Sequence, residues 1–375
     1  MGVLAICAAT GVLLGLTVNF LADALTPPVP EPAPRHFFRR PRFLAVEILF
    51  LVLIPFLYYW EIQCGAGAGH AFGAVEPLAS LHARLGAHVF LAVAMAVASV
   101  VDFEHYLIPD GITIPATVLG AVLMAVFPAA ALPDYETLDT GSFAITGHPL
   151  SAFYGWSGRF GLWVSIGCVL FWAFAMLDRR WYARLGFRRA GILFLRRIRQ
   201  SRLTWILLGI TLLAIAGILT LYSVSETPAT DAAKRALLSS LVGMVGGMGI
   251  IWCVRIIGRL ALGREGMGFG DVVLMGVLGV FFGWQGAVIL FFLAPFAGLV
   301  FGIARLFFRT NREIPYGPFL CLAALAVILF WESLLGYTHD FLYGPAVGAI
   351  LAVMAVLMAV LLLAIQGIKR IFGRA

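Results

Sequence analysis

The chain alternates long apolar runs with short breaks rich in arginine, proline or acidic residues. A helix rises about 1.5 Å per residue, so about 20 mostly apolar residues cross a hydrocarbon layer of about 30 Å. By that rule the sequence predicts roughly eleven helical stretches. They lie near residues 3–24, 43–60, 86–102, 112–132, 160–177, 203–222, 236–257, 272–285, 287–308, 317–336 and 344–366. The stretch 272–285 is short and runs almost directly into the next at Ala287, so a tight hairpin or a tilted half-helix is expected there. The expected fold class is an all-α polytopic membrane protein with about 8–11 transmembrane helices.

Composition agrees with the pattern. Of 375 residues, 62% are hydrophobic and only 12% charged, and the mean hydropathy is +0.98. Such values exclude a soluble globular domain. The formal charge of +7 does not point to nucleic acid, because the arginines sit in short loops between apolar runs and not on one polar face. The lipid bilayer is the partner they imply. The first apolar segment lacks a basic leader region and a small-residue cleavage site, so it is expected to be a retained helix and not a signal peptide. Cys7, Cys64, Cys168, Cys253 and Cys321 are scattered, with no C-x-x-C pair and no histidine at ligand spacing. Neither a disulfide framework nor a metal site is indicated, and no cofactor is expected.

Loops rich in Lys and Arg stay cytoplasmic. Arg35, Arg39, Arg40 and Arg42 follow the first span, and nine arginines from Arg179 to Arg202 lie between the fifth and sixth. With the N-terminus outside and the C-terminus in the cytoplasm, Arg259, Arg264, Arg309, Arg312, Lys369, Arg370 and Arg374 fall on the same side. Asp134, Glu136, Asp139, Glu226 and Asp231 then face outward, with Lys234 and Arg235 as exceptions. The segment 179–202 suits either an amphipathic helix on anionic headgroups or a simple stop-transfer anchor. Five prolines between Pro27 and Pro34 make the first cytoplasmic loop an extended linker.

In this topology two aspartates reach the same depth. The third span runs inward and ends at V-V-D-F-E-H-Y-L-I-P-D, residues 100–110, which puts Asp102 at its cytoplasmic end. The eighth begins after G-M-G-F-G-D, residues 266–271, which puts Asp271 on that side. An ionisable residue at the edge of a span is by default functional and needs a partner. Two carboxylates sharing a site cannot both ionise easily, so one serves as acid and the other as base, as in aspartic proteases. Gly266, Gly268 and Gly270 leave room beside the carboxylate for an extended substrate. A structural reading stands beside this one: Asp271 caps its helix, and Asp102 is a hydrated interfacial residue. Glu104, His105 and Asp110 read as solvated loop groups, and Pro109 with Gly111 marks the turn after the third span.

At these motifs the chain resembles the type 4 prepilin leader peptidases, which belong with the GxGD aspartyl proteases. The family pattern D-x-x-x-x-x-[IL]-P-D-x-[IL]-T-[IL]-P is matched from Asp102 through Ile108, Pro109, Asp110, Thr113 and Pro115. G-x-G-D is matched by Gly268, Phe269, Gly270 and Asp271, followed by Leu278, Gly279, Gly283 and Trp284 in place of L-G-x-x-x-G-W. Ile314 to Pro318 resembles the family's I-P-[FY]-G-P segment. The P-A-L motif of presenilin-like proteases is absent.

The resemblance covers residues 86–132 and about 236–336. It implies catalytic roles for Asp102 and Asp271, supporting roles for Gly268, Gly270, Pro109 and Asp110, and no metal or cofactor. The implied substrates are type IV prepilins or type II secretion pseudopilins, and the implied location is the bacterial inner membrane. Residues 1–85 form N-terminal helices with a short loop that carries no cysteine, where the family often has two zinc-binding C-x-x-C pairs. N-methyltransferase activity is therefore not expected. Residues 86–132 are the first aspartate's helix pair, 133–235 an insertion of two helices and a basic loop, 236–336 the GxGD core, and 337–375 a further helix with a basic tail. The rival reading is a transporter or assembly scaffold with non-proteolytic aspartates.

Overall fold

A computed structural model describes residues 2–26, 35–64, 78–132, 134–137, 143–146, 158–177, 201–262, 267–308, 315–343, 352, 356 and 360. Most of the expected span 344–366, most of the basic loop 179–202, and Gly266 lie outside this set. Nine α-helices appear among the described residues: α1 (Gly2–Leu25), α2 (Arg35–Tyr58), α3 (Leu78–His105), α4 (Asp110–Val126), α5 (Arg159–Met176), α6 (Arg202–Ser223), α7 (Pro228–Leu262), α8 (Phe269–Phe308) and α9 (Gly317–Tyr343). All except α4 are long and apolar enough to cross a membrane. The chain is an all-α polytopic membrane protein. Among the described residues the strands are those of one antiparallel ribbon, β1 (Asp134–Thr137) and β2 (Phe143–Thr146), with Asp134 opposite Thr146.

Close packing here runs through glycines. A Cβ on Gly11 would meet the Phe50 carbonyl at 2.3 Å, and one on Gly15 the Glu47 Cα at 2.9 Å. This four-residue spacing of small residues lets α1 and α2 touch backbone to backbone. Gly243 and Gly279 do the same for α7 and α8, where a Cβ on either would lie within 2.2 Å of the other's carbonyl oxygen.

The short stretch 272–285 proves to be one arm of a hairpin. Gly283 takes φ +67°, ψ −174°, a conformation essentially reserved for glycine. A straight helix would carry Phe301 about 45 Å from Asp271. Instead Phe301 packs on Phe319 with ring centroids 5.4 Å apart, and Gly298 lies beside the same ring. Phe319 is two residues from Gly317, whose backbone abuts Asp102. At the other end Gly286 lies beside Trp331. The second arm therefore returns to the level of the first arm's start.

The end of the bundle remote from Asp102 holds its own buried polar groups. Arg84 donates to the carbonyls of Ala131 and Ala129, each at 3.3 Å, which ties α3 to the short 3₁₀ turn Pro128–Ala130. One turn on, His88 Nδ1 meets Glu61 at 2.8 Å, with both residues buried. Glu61 belongs to a π-helical turn, Tyr59–Gln63. The neighbouring Trp60 indole donates to the Leu329 carbonyl at 3.1 Å, beside the break in α9 at Phe330.

Candidate active site

The buried stripe of α3 runs through Ala87, Leu91, Ala94, Met95, Ala98, Val101 and Asp102. Its three- and four-residue spacing carries the last member into the protein interior. Asp102 is only 5% exposed and Asp271 only 8%. Asp271 feels the charge of Asp102, although 169 positions of sequence separate them.

Each aspartate sits at the start of a helix. Asp271 is the third residue of α8 and reaches back to the backbone N–H of Gly268, as the acidic residue of a capping box does. Asp271 is thus inside the first turn of α8 and not its N-cap residue, and the reach back to Gly268 holds the carboxylate in place for its neighbour. Asp102 lies against the backbone N–H of Gly317, the first residue of α9. A helix N-terminus favours negative charge through its unpaired N–H groups and its dipole. Asp102 Oδ2 is nevertheless buried without a hydrogen-bond partner, so one lone-pair face remains for a reactant. The hydrated interfacial reading of Asp102 does not match this burial.

Three backbone approaches close the site around Ile108. A Cβ on Gly270 would lie 3.0 Å from Ile108 Cβ, and one on Gly317 would lie 3.1 Å from Ile108 Cδ1. The same Cβ on Gly317 would lie 2.5 Å from Asp102 Oδ2. Ile108 is buried and wedges the α3–α4 turn between the starts of α8 and α9. The turn is reached through Tyr106, a non-glycine residue at φ +54°, whose N–H donates to the Asp102 carbonyl at 2.9 Å.

The structure thus brings Asp102, Asp271, Gly268 and Gly270 together. Pro109 is buried at the N-cap of α4, where its carbonyl accepts from Ile112 and Thr113 at 3.1 and 3.3 Å. Asp110 is exposed at the first position of α4, where an acidic residue complements the helix dipole. Glu104 is exposed, as expected for a surface group, yet it is paired: Arg42 holds both of its oxygens at 2.7 Å and Asp23 at 2.9 Å. That fork fastens α1 and α2 to α3 two residues beyond Asp102.

Three neighbours of the dyad emerge only in three dimensions. Gly317 and Tyr316 come from the I-P-Y-G-P run, which is the one sequence signal that points to them. Burial, and then the nearby Asp271 carboxylate, push the Tyr316 phenol up to about 12. Cys321 is buried one turn along α9, within reach of both aspartates and of Ser99.

Comparison with known proteins follows the same outline. The type IV leader peptidase family matches residues 193–303, a stretch that holds Asp271 and both arms of the hairpin and stops short of Asp102. The prepilin leader peptidase/N-methyltransferase of Aeromonas salmonicida is 33% identical over 98 residues, 25% of this chain and 34% of the relative. The protein of that name from Pseudomonas aeruginosa is 32% identical over 102 residues, 26% of this chain and 35% of the relative. The one from Xanthomonas campestris is 35% identical over 104 residues, 27% and 34% respectively. The chain spans about a third of the length of the curated relatives it matches. No solved structure matches it significantly. Across the GxGD hairpin, where one of its two buried aspartates stands, the chain is similar to the type IV leader peptidase family.

Proposed function

We propose that the chain is an intramembrane aspartic endopeptidase that removes the leader from type IV prepilins or type II secretion pseudopilins. The observation that carries this reading is the pairing of two buried carboxylates at one end of the bundle, each against a helix-start amide. In this mechanism the ionised aspartate takes a proton from a water whose oxygen attacks the scissile carbonyl. The protonated partner gives its proton to the carbonyl oxygen, and collapse of the tetrahedral intermediate expels the amine with a proton returned from the dyad.

The dyad end is proposed to face the cytoplasm of the bacterial inner membrane, with the N-terminus outside, because arginine-rich stretches of the sequence follow α1, α5, α7 and α8 and such loops stay cytoplasmic. A helix in lipid hides its peptide bonds in its own hydrogen bonds and must be met where it frays, near the interface. The N-methyltransferase activity in the relatives' names is not carried over, since residues 25–42 hold no cysteine.

The test is to incubate detergent-purified protein with prepilins from the same genome and weigh the products. Wild type should cut after the leader glycine, while Asp102→Asn and Asp271→Asn should express normally and leave the substrate whole. Cleavage by either variant would remove the dyad from the mechanism.

A further inference from the structure

Lys234 and Arg235 break the charge pattern of the loops, standing at the end of the bundle remote from the dyad. Arg235 is accounted for by its ion pair with Asp231, one turn back on α7. Lys234 is not. It is 2% exposed, its ammonium lies 5.4 Å from the centre of the Tyr222 ring, and it forms no ion pair among the described residues. A buried cation within a membrane helix calls for an anion.

Two hydroxyls share its surroundings. Ser165 Oγ on α5, fully buried, and the Tyr222 hydroxyl on α6 lie against each other as a hydroxyl pair with no third partner among the described residues. Tyr222 faces Ser165 and also senses Asp231, whose carboxylate Arg235 occupies. One O–H can be shared within the Ser165–Tyr222 pair, which leaves the other O–H and the Lys234 ammonium as a donor set for an anion, built from three different helices.

An apolar cavity begins one helical turn deeper. It holds about 420 Å³ and is bounded by Thr117, Val169, Trp172, Gly217, Leu221 and Leu237, among others. Leu237 follows Lys234 by one turn on α7, Val169 follows Ser165 by one turn on α5, and Leu221 adjoins Tyr222. The volume is within the range of ligand sites, about 300–1,000 Å³. Polar donors at one end of an apolar chamber match an amphiphile with an anionic head.

We propose that this is a lipid site, in which an anionic glycerophospholipid lays one acyl chain in the cavity and sets its phosphate against Lys234, Ser165 and Tyr222. The lipid bridges α5 and α6 to α4 and α7. The site is independent of the peptidase reading.

The test is native mass spectrometry and thermal unfolding of the full chain in detergent, with phosphatidylglycerol, phosphatidylethanolamine or palmitate added. Wild type should retain one phosphatidylglycerol, unfold at a higher temperature with it, and hold phosphatidylethanolamine at least tenfold more weakly. Lys234→Gln should lower phosphatidylglycerol retention at least tenfold. Gly217→Leu should do the same with Lys234 intact, because a Cβ at 217 meets nothing within 4 Å and the new side chain fills the chamber. Retention equal to wild type in Gly217→Leu overturns the site even if Lys234→Gln does not fold. Equal retention of the two phospholipids also overturns it, and palmitate held as tightly as phosphatidylglycerol replaces the phospholipid assignment with a fatty acid.

Discussion

Gly317 and Asp102 touch in a way that only glycine permits: a Cβ at position 317 would stand 2.5 Å from Asp102 Oδ2. Gly317→Ala must push the carboxylate aside or tilt the start of α9. A misplacement of about 1 Å at a reacting group costs about 100-fold in rate, so kcat for prepilin cleavage should fall by about that factor while KM changes little. Thermal unfolding should show a loss of about 1–3 kcal/mol from overpacking. Wild-type kcat in this variant would mean that the approach is incidental to catalysis.

A dyad that works as one acid and one base is active only while it carries a single proton. Cleavage should therefore fall at low pH, where both carboxyls are protonated and no base remains. It should fall again at high pH, where both are ionised and no acid remains. Tyr316, pushed up to about 12, stays neutral across that range, so Tyr316→Phe should leave both limbs where they are. A single-limbed profile in wild type would argue against a shared proton.

Arg42 fastens three helices at the level of the dyad through Glu104 and Asp23. Arg42→Lys keeps the charge but loses the planar fork that serves both carboxylates. Cleavage by both Arg42→Lys and Arg42→Ala should drop several-fold, and the unfolding temperature should fall with it. If lysine restores full activity, charge alone matters there and the fork does not.

Gly283→Ala tests the hairpin. Its φ of +67° costs a side chain about 1–3 kcal/mol, and the new Cβ would also lie 2.8 Å from Ser239 Oγ. The unfolding temperature should fall measurably, and cleavage should fall with it, because Asp271 rides on the first arm. An unchanged melting temperature would mean that the reversal lies elsewhere in the chain.

Much of this architecture was legible in the amino-acid order. Apolar run length located eight of the spans and put Asp102 and Asp271 at one end, because burial in lipid depends on local composition. The expected span 112–132 is instead the shorter α4, whose helix ends at Val126 before Pro128. Ala287 following so soon after 272–285 already hinted at the fold-back. What local pattern could not carry was contact across the bundle. Gly317 meets Asp102 from 215 positions away, and Arg42 reaches Glu104 across 62. Lys234 looked like an exception to a charge rule until its burial under Tyr222 appeared. The ribbon of Asp134–Thr137 and Phe143–Thr146 was missed because it lies between spans, where hydropathy is silent.

The 3₁₀ turn Pro128–Ala130 that Arg84 holds is also in contact with α7. The chain leaves α4 for α5 and α6 from a point next to where it comes back. Because α5 and α6 make two crossings between neighbouring points, they alter neither the direction of α7 nor the depth of Asp271. An even number of crossings at this junction keeps the two aspartates at one end of the bundle, whereas an odd number would part them.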